Sequence, residues 1–205
     1  MGYFPFYIDI KDKKCVVIGG GKIALRKVEK LLPFKPSVTV VAEEVCAELA
    51  DIEMISIVKR PFKDSDLDGA FMAIAAANDR DVNKHIFDLC NKKNILINCV
   101  DDKENCGFLF PALIKRENFT AAVSTEGRSP LFAKYLRGRI EEILTDDCDK
   151  TVDFLAGCRS LIKEKVPSER NRKIVFERIF EMCMTGQEPS ADEVLKITEE
   201  FGYED

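Results

Sequence analysis

The chain has 205 residues, 46% of them hydrophobic and 33% charged, with a formal net charge of −5. That length and apolar share suit one full globular domain plus a smaller one. The acidic balance argues against nucleic acid as the main partner, and no run reaches the roughly 18 apolar residues of a membrane span.

Eight cysteines (Cys15, Cys46, Cys90, Cys99, Cys106, Cys148, Cys158 and Cys183) form no C-x-x-C pair, and His85 is the single histidine. No metal site of recognised spacing is therefore expected. Scattered thiols without a secretory signal read as small buried hydrophobes in a reducing, cytoplasmic compartment.

In chain order, residues 8–18 read as strand, turn and strand. The segment Val16-Val17-Ile18-Gly19-Gly20-Gly21-Lys22-Ile23-Ala24 then runs from an apolar strand through glycines into a helix. Ile23, Ala24, Leu25, Val28, Leu31 and Leu32 recur at helical spacing. A dinucleotide-binding turn requires that order. The strand delivers the chain to a tight turn at Gly19, and Gly21, without a Cβ, lets backbone approach a pyrophosphate. Ala24, in the place of a third glycine, lets the helix sit close to the strand. The helix N-terminus offers N–H groups and partial positive charge to phosphates. Many glycine turns bind nothing; the strand before and the periodicity after favour the nucleotide reading. It assigns Gly19, Gly20, Gly21, Lys22 and Ile23 to the cofactor.

Residues 38–41, 54–58, 71–77 and 95–100 read as further strands, and 82–92 as a helix with Val82, Ile86 and Leu89 on one face. This βαβ rhythm predicts a mostly parallel, Rossmann-like α/β sheet over residues 1–106. Beyond Asp102 the pattern changes. Residues 107–110 and 119–124 read as strands separated by 111–116, and Ser129-Pro130 starts a helix over 130–144, giving a small α+β segment over 107–145. Asp146-Asp147-Cys148-Asp149 breaks that helix or links it to the next. Residues 146–205 form a helical C-terminal region punctuated by Pro167, by Gly186-Gln187-Glu188-Pro189 and by Gly202.

Ligands of open α/β sheets sit at the carboxyl ends of the strands. The usual ribose acid lies about 20 residues past the glycine turn, where Ala42 and Glu43 stand. Glu43 reaches a ribose or merely favours the next helix terminus. No arginine follows it there, so NAD is preferred over NADP. After the fourth strand, Ala77 is small enough for a flat cofactor, and Asn78 contacts a ribose or carboxamide, caps the next helix, or does both. After the fifth strand, Asp101 and Asp102 stand where general acid/base chemistry would need a carboxylate, or they form a solvated turn. Ser124-Thr125-Glu126-Gly127-Arg128-Ser129-Pro130 precedes a helix bearing Lys134, Arg137 and Arg139. Composition favours a capped helix with a solvated basic face; the sharper reading is an anion-binding rim.

Five segments together resemble one family. They are Phe4-Pro5-Phe6-Tyr7-Ile8-Asp9-Ile10, Val17-Ile18-Gly19-Gly20-Gly21-Lys22-Ile23-Ala24 with Arg26-Lys27, Asn98-Cys99-Val100-Asp101, Phe110-Pro111-Ala112, and Ala122-Val123-Ser124-Thr125-Glu126-Gly127-Arg128-Ser129-Pro130. Over residues 4–144 the chain resembles the precorrin-2 dehydrogenase family of siroheme biosynthesis. That family includes bifunctional sirohydrochlorin ferrochelatases and the N-terminal part of multifunctional siroheme synthases. The resemblance implies NAD-dependent oxidation of precorrin-2 to sirohydrochlorin, with Fe2+ insertion in some members. It selects Asp101 as the catalytic carboxylate and implies a homodimer built through residues 107–145. It places the family's loop serine at Ser124 or Thr125, where Thr125 departs from serine. A substrate with many carboxylates needs local cations on an acidic protein; Lys22, Arg116, Arg128, Lys134 and Arg137 are the candidates, with Ser124 and Thr125 beside them. With Asp205 as the last residue, a methyltransferase domain is not expected. The competing readings are a dehydrogenase without chelatase activity and an NAD-sensing regulatory module. The module explains neither Asp101 nor the basic helix.

Overall fold

The computed structural model of the chain describes residues 3–100, 102, 104–187 and 189–202. Five strands, β1 (Lys14–Ile18), β2 (Ser37–Ala42), β3 (Ile55–Lys59), β4 (Met72–Ala75) and β5 (Leu96–Cys99), form one sheet in the order β3-β2-β1-β4-β5. Every pairing is parallel; Ile18 stands opposite Val41 on one side and Ala75 on the other.

The inner strands are near-continuous apolar runs because both faces are covered. Side chains alternate across the pleat, so Cys15 and Val17 join one core while Val16 and Ile18 join the other. The first core is completed by Ala24, Val28 and Leu31 of α1 (Lys22–Leu31) and by Leu49 of the short α2 (Ala47–Ala50). The second takes Ile86 and Cys90 from α3 (Arg80–Lys93) and Leu67 from a 3-10 turn over Asp64–Leu67. An isolated ten-residue helix such as α1 is too short to persist in water, so the apolar stripe packed on the sheet holds it. Asp79 caps α3 by accepting from the N–H groups of Asp81 (2.8 Å) and Val82 (3.4 Å), and Asn94, at φ 55°, ends it. The predicted Rossmann-like sheet is present.

Two stretches differ from the sequence expectation. Of the strand, turn and strand read over residues 8–18, only the second strand forms, as β1; residues 8–10 are not a strand. β1 already pairs with β2 and β4, which leaves no ladder beside it for a preceding strand. Residues 107–110 also form no strand; instead the N–H groups of Gly107 (2.8 Å) and Phe108 (3.4 Å) both donate to the carbonyl of Ile97. The strand comes later, as β6 (Ala112–Lys115), paired with β7 (Thr120–Val123). Pro111 precedes a strand here, a position proline tolerates, rather than separating two. Arg116 N–H donates to Phe119 O at 2.8 Å, and so short a link joins only antiparallel neighbours.

Four helices follow: α4 (Pro130–Ile143), α5 (Asp146–Lys165), α6 (Glu169–Met184) and α7 (Ala191–Glu200). The stretch 146–149 opens α5 after Thr145, which puts Asp147 and Asp149 near its start, a placement the positive end of a helix favours. Cys158, Ile162, Val166, Val175, Ile179, Val194 and Ile197 form the core of α5, α6 and α7. Ser190 and Glu193 make a reciprocal capping box at the start of α7. The chain divides into two compact units, Met1–Leu113 with Ala122–Lys134, and Ile114–Ala121 with Tyr135–Asp205. No described helix is long and apolar enough to cross a membrane.

Candidate functional site

The strand order reverses direction between β1 and β4, and open α/β sheets bind ligands at such a point. A cleft of about 1080 Å³ opens there, at the carboxyl ends of the strands. Gly19, Gly20, Gly21, Ala42, Glu43, Ala77 and Asn78 line it. Seven of the nine residues assigned to a cofactor from sequence are thus brought together. Lys22 and Ile23 open α1 and are exposed without lining the cleft.

Each glycine has its own task. Gly19 sits at φ +123°, and a Cβ on it would lie 2.2 Å from Ala76 O. This close approach lets β1 and β4 leave the sheet side by side, with Ala76 N–H donating to Ile18 O at 2.7 Å. A Cβ on Gly20 would lie 2.0 Å from Glu44 O, and Gly20 O accepts the Cys46 N–H at 2.8 Å. Around Gly21 a Cβ would meet nothing within 4 Å. Gly21 is also the N-cap of α1, without a side-chain cap and without an acidic residue in the first turn. The turn therefore presents open space and a positive helix end to an incoming anion. These residues fit a dinucleotide pyrophosphate.

A family model described as "Putative NAD(P)-binding" matches residues 6–112. The chain belongs to this NAD(P)-binding family. Among curated relatives, the siroheme synthase of Thioalkalivibrio sulfidiphilus is 37% identical over 212 aligned residues, covering 100% of this chain and 43% of its own length. That of Buchnera aphidicola is 33% identical over 204 residues, covering 96% of this chain and 43% of the relative. The chain thus spans about two-fifths of the length of these relatives. A solved structure titled SirC, precorrin-2 dehydrogenase, superposes with a TM-score of 0.73 at 25% identity, covering 97% of this chain and 98% of the other.

The cleft also holds residues that the sequence reading passed over. Arg60, Pro61 and Phe62 follow β3, and Asp64 and His85 face the same space. His85 Nε2 lies 2.8 Å from Asp64 Oδ1, and the Phe62 ring meets the His85 ring edge-on at 6.5 Å. Arg60 is paired with Asp66. The hydrogen bond from Arg60 holds the Asp66 carboxyl below the usual carboxylate range, and the same bond raises the guanidinium further. The rule that placed the other loops, namely the ends of parallel strands, also covers this one.

Beyond the end of β5, Asp101 lies outside the described residues. The strand leading to it is tightly organised. Asn98 is 4% exposed, and its amide donates to Phe108 O at 2.9 Å. Lys27 of α1 donates to Asn98 Oδ1 at 3.1 Å and stands 4.2 Å from the centroid of the Phe110 ring. Cys99 is buried, and desolvation pushes its thiol up to about 12, so it remains protonated at neutral pH. Asp102 accepts from the Asn105 side chain at 2.6 Å.

Of the substrate candidates in the first unit, Ser124, Thr125, Arg128 and Lys134 do not line the cleft. Ser124 Oγ accepts the Glu126 N–H (3.0 Å), and Thr125 Oγ1 donates to Ser129 O and accepts Ser129 N–H (both 3.0 Å). Arg128 is 83% exposed and 4.0 Å from Glu126. Lys134 is exposed. In the second unit, Arg137 pairs with Glu141 at 3.0 Å and Arg116 with Asp149 at 3.5 Å. Among the described residues no group of three or more His, Cys, Asp or Glu could hold a metal ion.

Proposed function

We propose that this chain oxidises precorrin-2 to sirohydrochlorin with NAD as hydride acceptor. The observation that carries the reading is the open glycine turn at Gly21 on the switch-point cleft, in a chain that aligns along its whole length with part of siroheme synthases. The likeness to a precorrin-2 dehydrogenase structure supports the same substrate. The reaction removes two electrons and two protons from the macrocycle. One hydride goes to the nicotinamide, and one proton goes to a base and then to solvent.

In this reading NAD supplies the electron sink. The turn at Gly19–Gly21 and the α1 terminus would hold its phosphates, Glu43 would accept from the ribose hydroxyls, and Ala77 and Asn78 would contact a ribose or the carboxamide. Asp101, next to the end of β5, is the proton acceptor. Ser124, Thr125, Arg128, Lys134 and Arg137 meet the substrate carboxylates. Residues 1–106 bind the cofactor, 107–145 serve substrate and a homodimer interface, and 146–205 form the helical region. The protein works in the cytoplasm. Fe2+ is a second substrate where the chain completes siroheme; the likeness to siroheme synthases supports that step, since siroheme carries iron.

The test is an anaerobic assay of precorrin-2 with NAD, followed by absorbance and repeated with ferrous iron. Sirohydrochlorin formation that depends on NAD supports the dehydrogenase. Siroheme formation faster than the enzyme-free control adds the chelatase. Asp101→Asn is expected to retain NAD affinity and lose turnover. Retained turnover would remove Asp101 from the mechanism, and tight NAD binding without oxidation would favour a sensing module.

A further inference from the structure

Two features fix Arg60 beside the expected ribose end of the cofactor. Its backbone N–H donates to Ala42 O at 3.1 Å, so it stands against the last residue of β2, next to Glu43. It lines the cleft with the glycine turn and Glu43. Its guanidinium does not extend freely into that space. Nη1 donates to Asp66 Oδ2 at 2.8 Å and to Pro61 O at 2.9 Å, and Nη2 donates to Asp66 Oδ1 at 2.5 Å.

This is a fork-to-fork pair, the strongest form of guanidinium–carboxylate contact. Asp66 is well placed to hold it. Its side chain is 11% exposed and also accepts the Lys63 N–H at 2.9 Å, and the next residue, Leu67, is fully buried. The carboxylate is therefore anchored to the core and the arginine is drawn to it. This cation of the cleft has its charge compensated and three donor contacts already made.

An adenosine 2′-phosphate needs a free cation at that place, whereas a 2′-hydroxyl needs an acceptor such as Glu43. We infer that Asp66 determines cofactor selectivity: by sequestering Arg60 it denies a 2′-phosphate its partner and leaves a cleft that takes NAD and rejects NADP. The inference rests on the cofactor reading proposed above. Sequence alone reaches the same preference through the lack of an arginine directly after Glu43. The structure puts an arginine there from β3 and neutralises it with a residue six positions further on.

The experiment measures dissociation constants of NAD and NADP by calorimetry, without turnover, for the wild type, Asp66→Asn, Arg60→Met and the double variant. Asparagine keeps the shape of Asp66 and its acceptor for Lys63 N–H. If Asp66→Asn does not fold, Asp66→Ser, whose hydroxyl can accept the same bond, replaces it. Releasing the guanidinium is expected to improve NADP affinity relative to NAD by about tenfold, the worth of one charged hydrogen bond. Arg60→Met is expected to give no such gain, and the double variant to return to the wild-type ratio. A folded Asp66 variant with an unchanged ratio overturns the inference. So does a double variant that keeps the gain, because loss of the Asp66 charge alone would then be responsible. Absence of NAD binding by the wild type removes the cofactor reading and this inference together; NAD binding with an unchanged ratio removes the inference alone.

Discussion

The turn before α1 and the loop before α4 look alike in sequence. Each leads small and polar residues into a helix, and each was a candidate anion site. Their hydrogen bonds separate them. At α1 the N-cap is Gly21, with no side chain to satisfy the first-turn amides. Before α4 the loop supplies its own acceptors: Ser124 serves Glu126, Thr125 serves Ser129, and Ser129 Oγ accepts the Phe132 N–H at 3.3 Å. A helix N-terminus is available to a ligand only where the chain leaves it unserved. By that criterion the α1 terminus leaves its backbone amides open to an anion, whereas the loop before α4 has satisfied its own amides, so an anion there would be met by side chains such as the exposed Arg128.

The comparison can be broken most sharply at Gly19. Gly19→Val puts side-chain carbon against Ala76 O in a backbone conformation that branched residues avoid. The loss of stability is expected to exceed about 4 kcal/mol, enough to abolish cooperative unfolding of a marginally stable protein. A near-normal melting curve would mean the turn is not the rigid corner described here. Next is Thr125→Val, which leaves Ser129 N–H without its loop partner. A cost of about 1–3 kcal/mol is expected in chemical denaturation, and a neutral result would show that the loop does not satisfy itself. The third change, Gly21→Asp, should leave stability nearly unaltered because the position faces open space, yet weaken NAD by about tenfold or more through charge and bulk. Unaltered NAD affinity would mean that phosphate does not sit there. The smallest effect is expected from Ser124→Ala, which removes one exposed turn bond and costs at most about 1 kcal/mol.

The legible part of the molecule is where a local signal and its structural consequence occupy the same few residues. Residues 16–32 carry strand, turn and helix in one stretch, and the cleft forms around them as expected. The end of β2 at Ala42 and the Ala77-Asn78 loop follow from the same strand-end rule. Arg60 obeys that rule too, yet nothing in Arg60-Pro61-Phe62 announces a site, because its state depends on Asp66 in a separate 3-10 turn. The Asn98–Lys27 contact joins residues 71 apart and has no sequence signature. Residues 8–10 have strand-like composition and lack a ladder, a fact set by where β2 and β4 lie. Pro111 looked like a separator because its effect depends on whether its neighbours pair, which is a tertiary matter.

The bond from Cys46 N–H to Gly20 O has a practical use. It crosses from the glycine turn to the connection after β2, so this single amide is protected only while the two loops stay together. Its exchange with deuterium would time the opening of the turn directly, with no chromophore and no substrate. Slower exchange on adding NAD would record, at one named atom pair, how far the cofactor closes the corner that receives it.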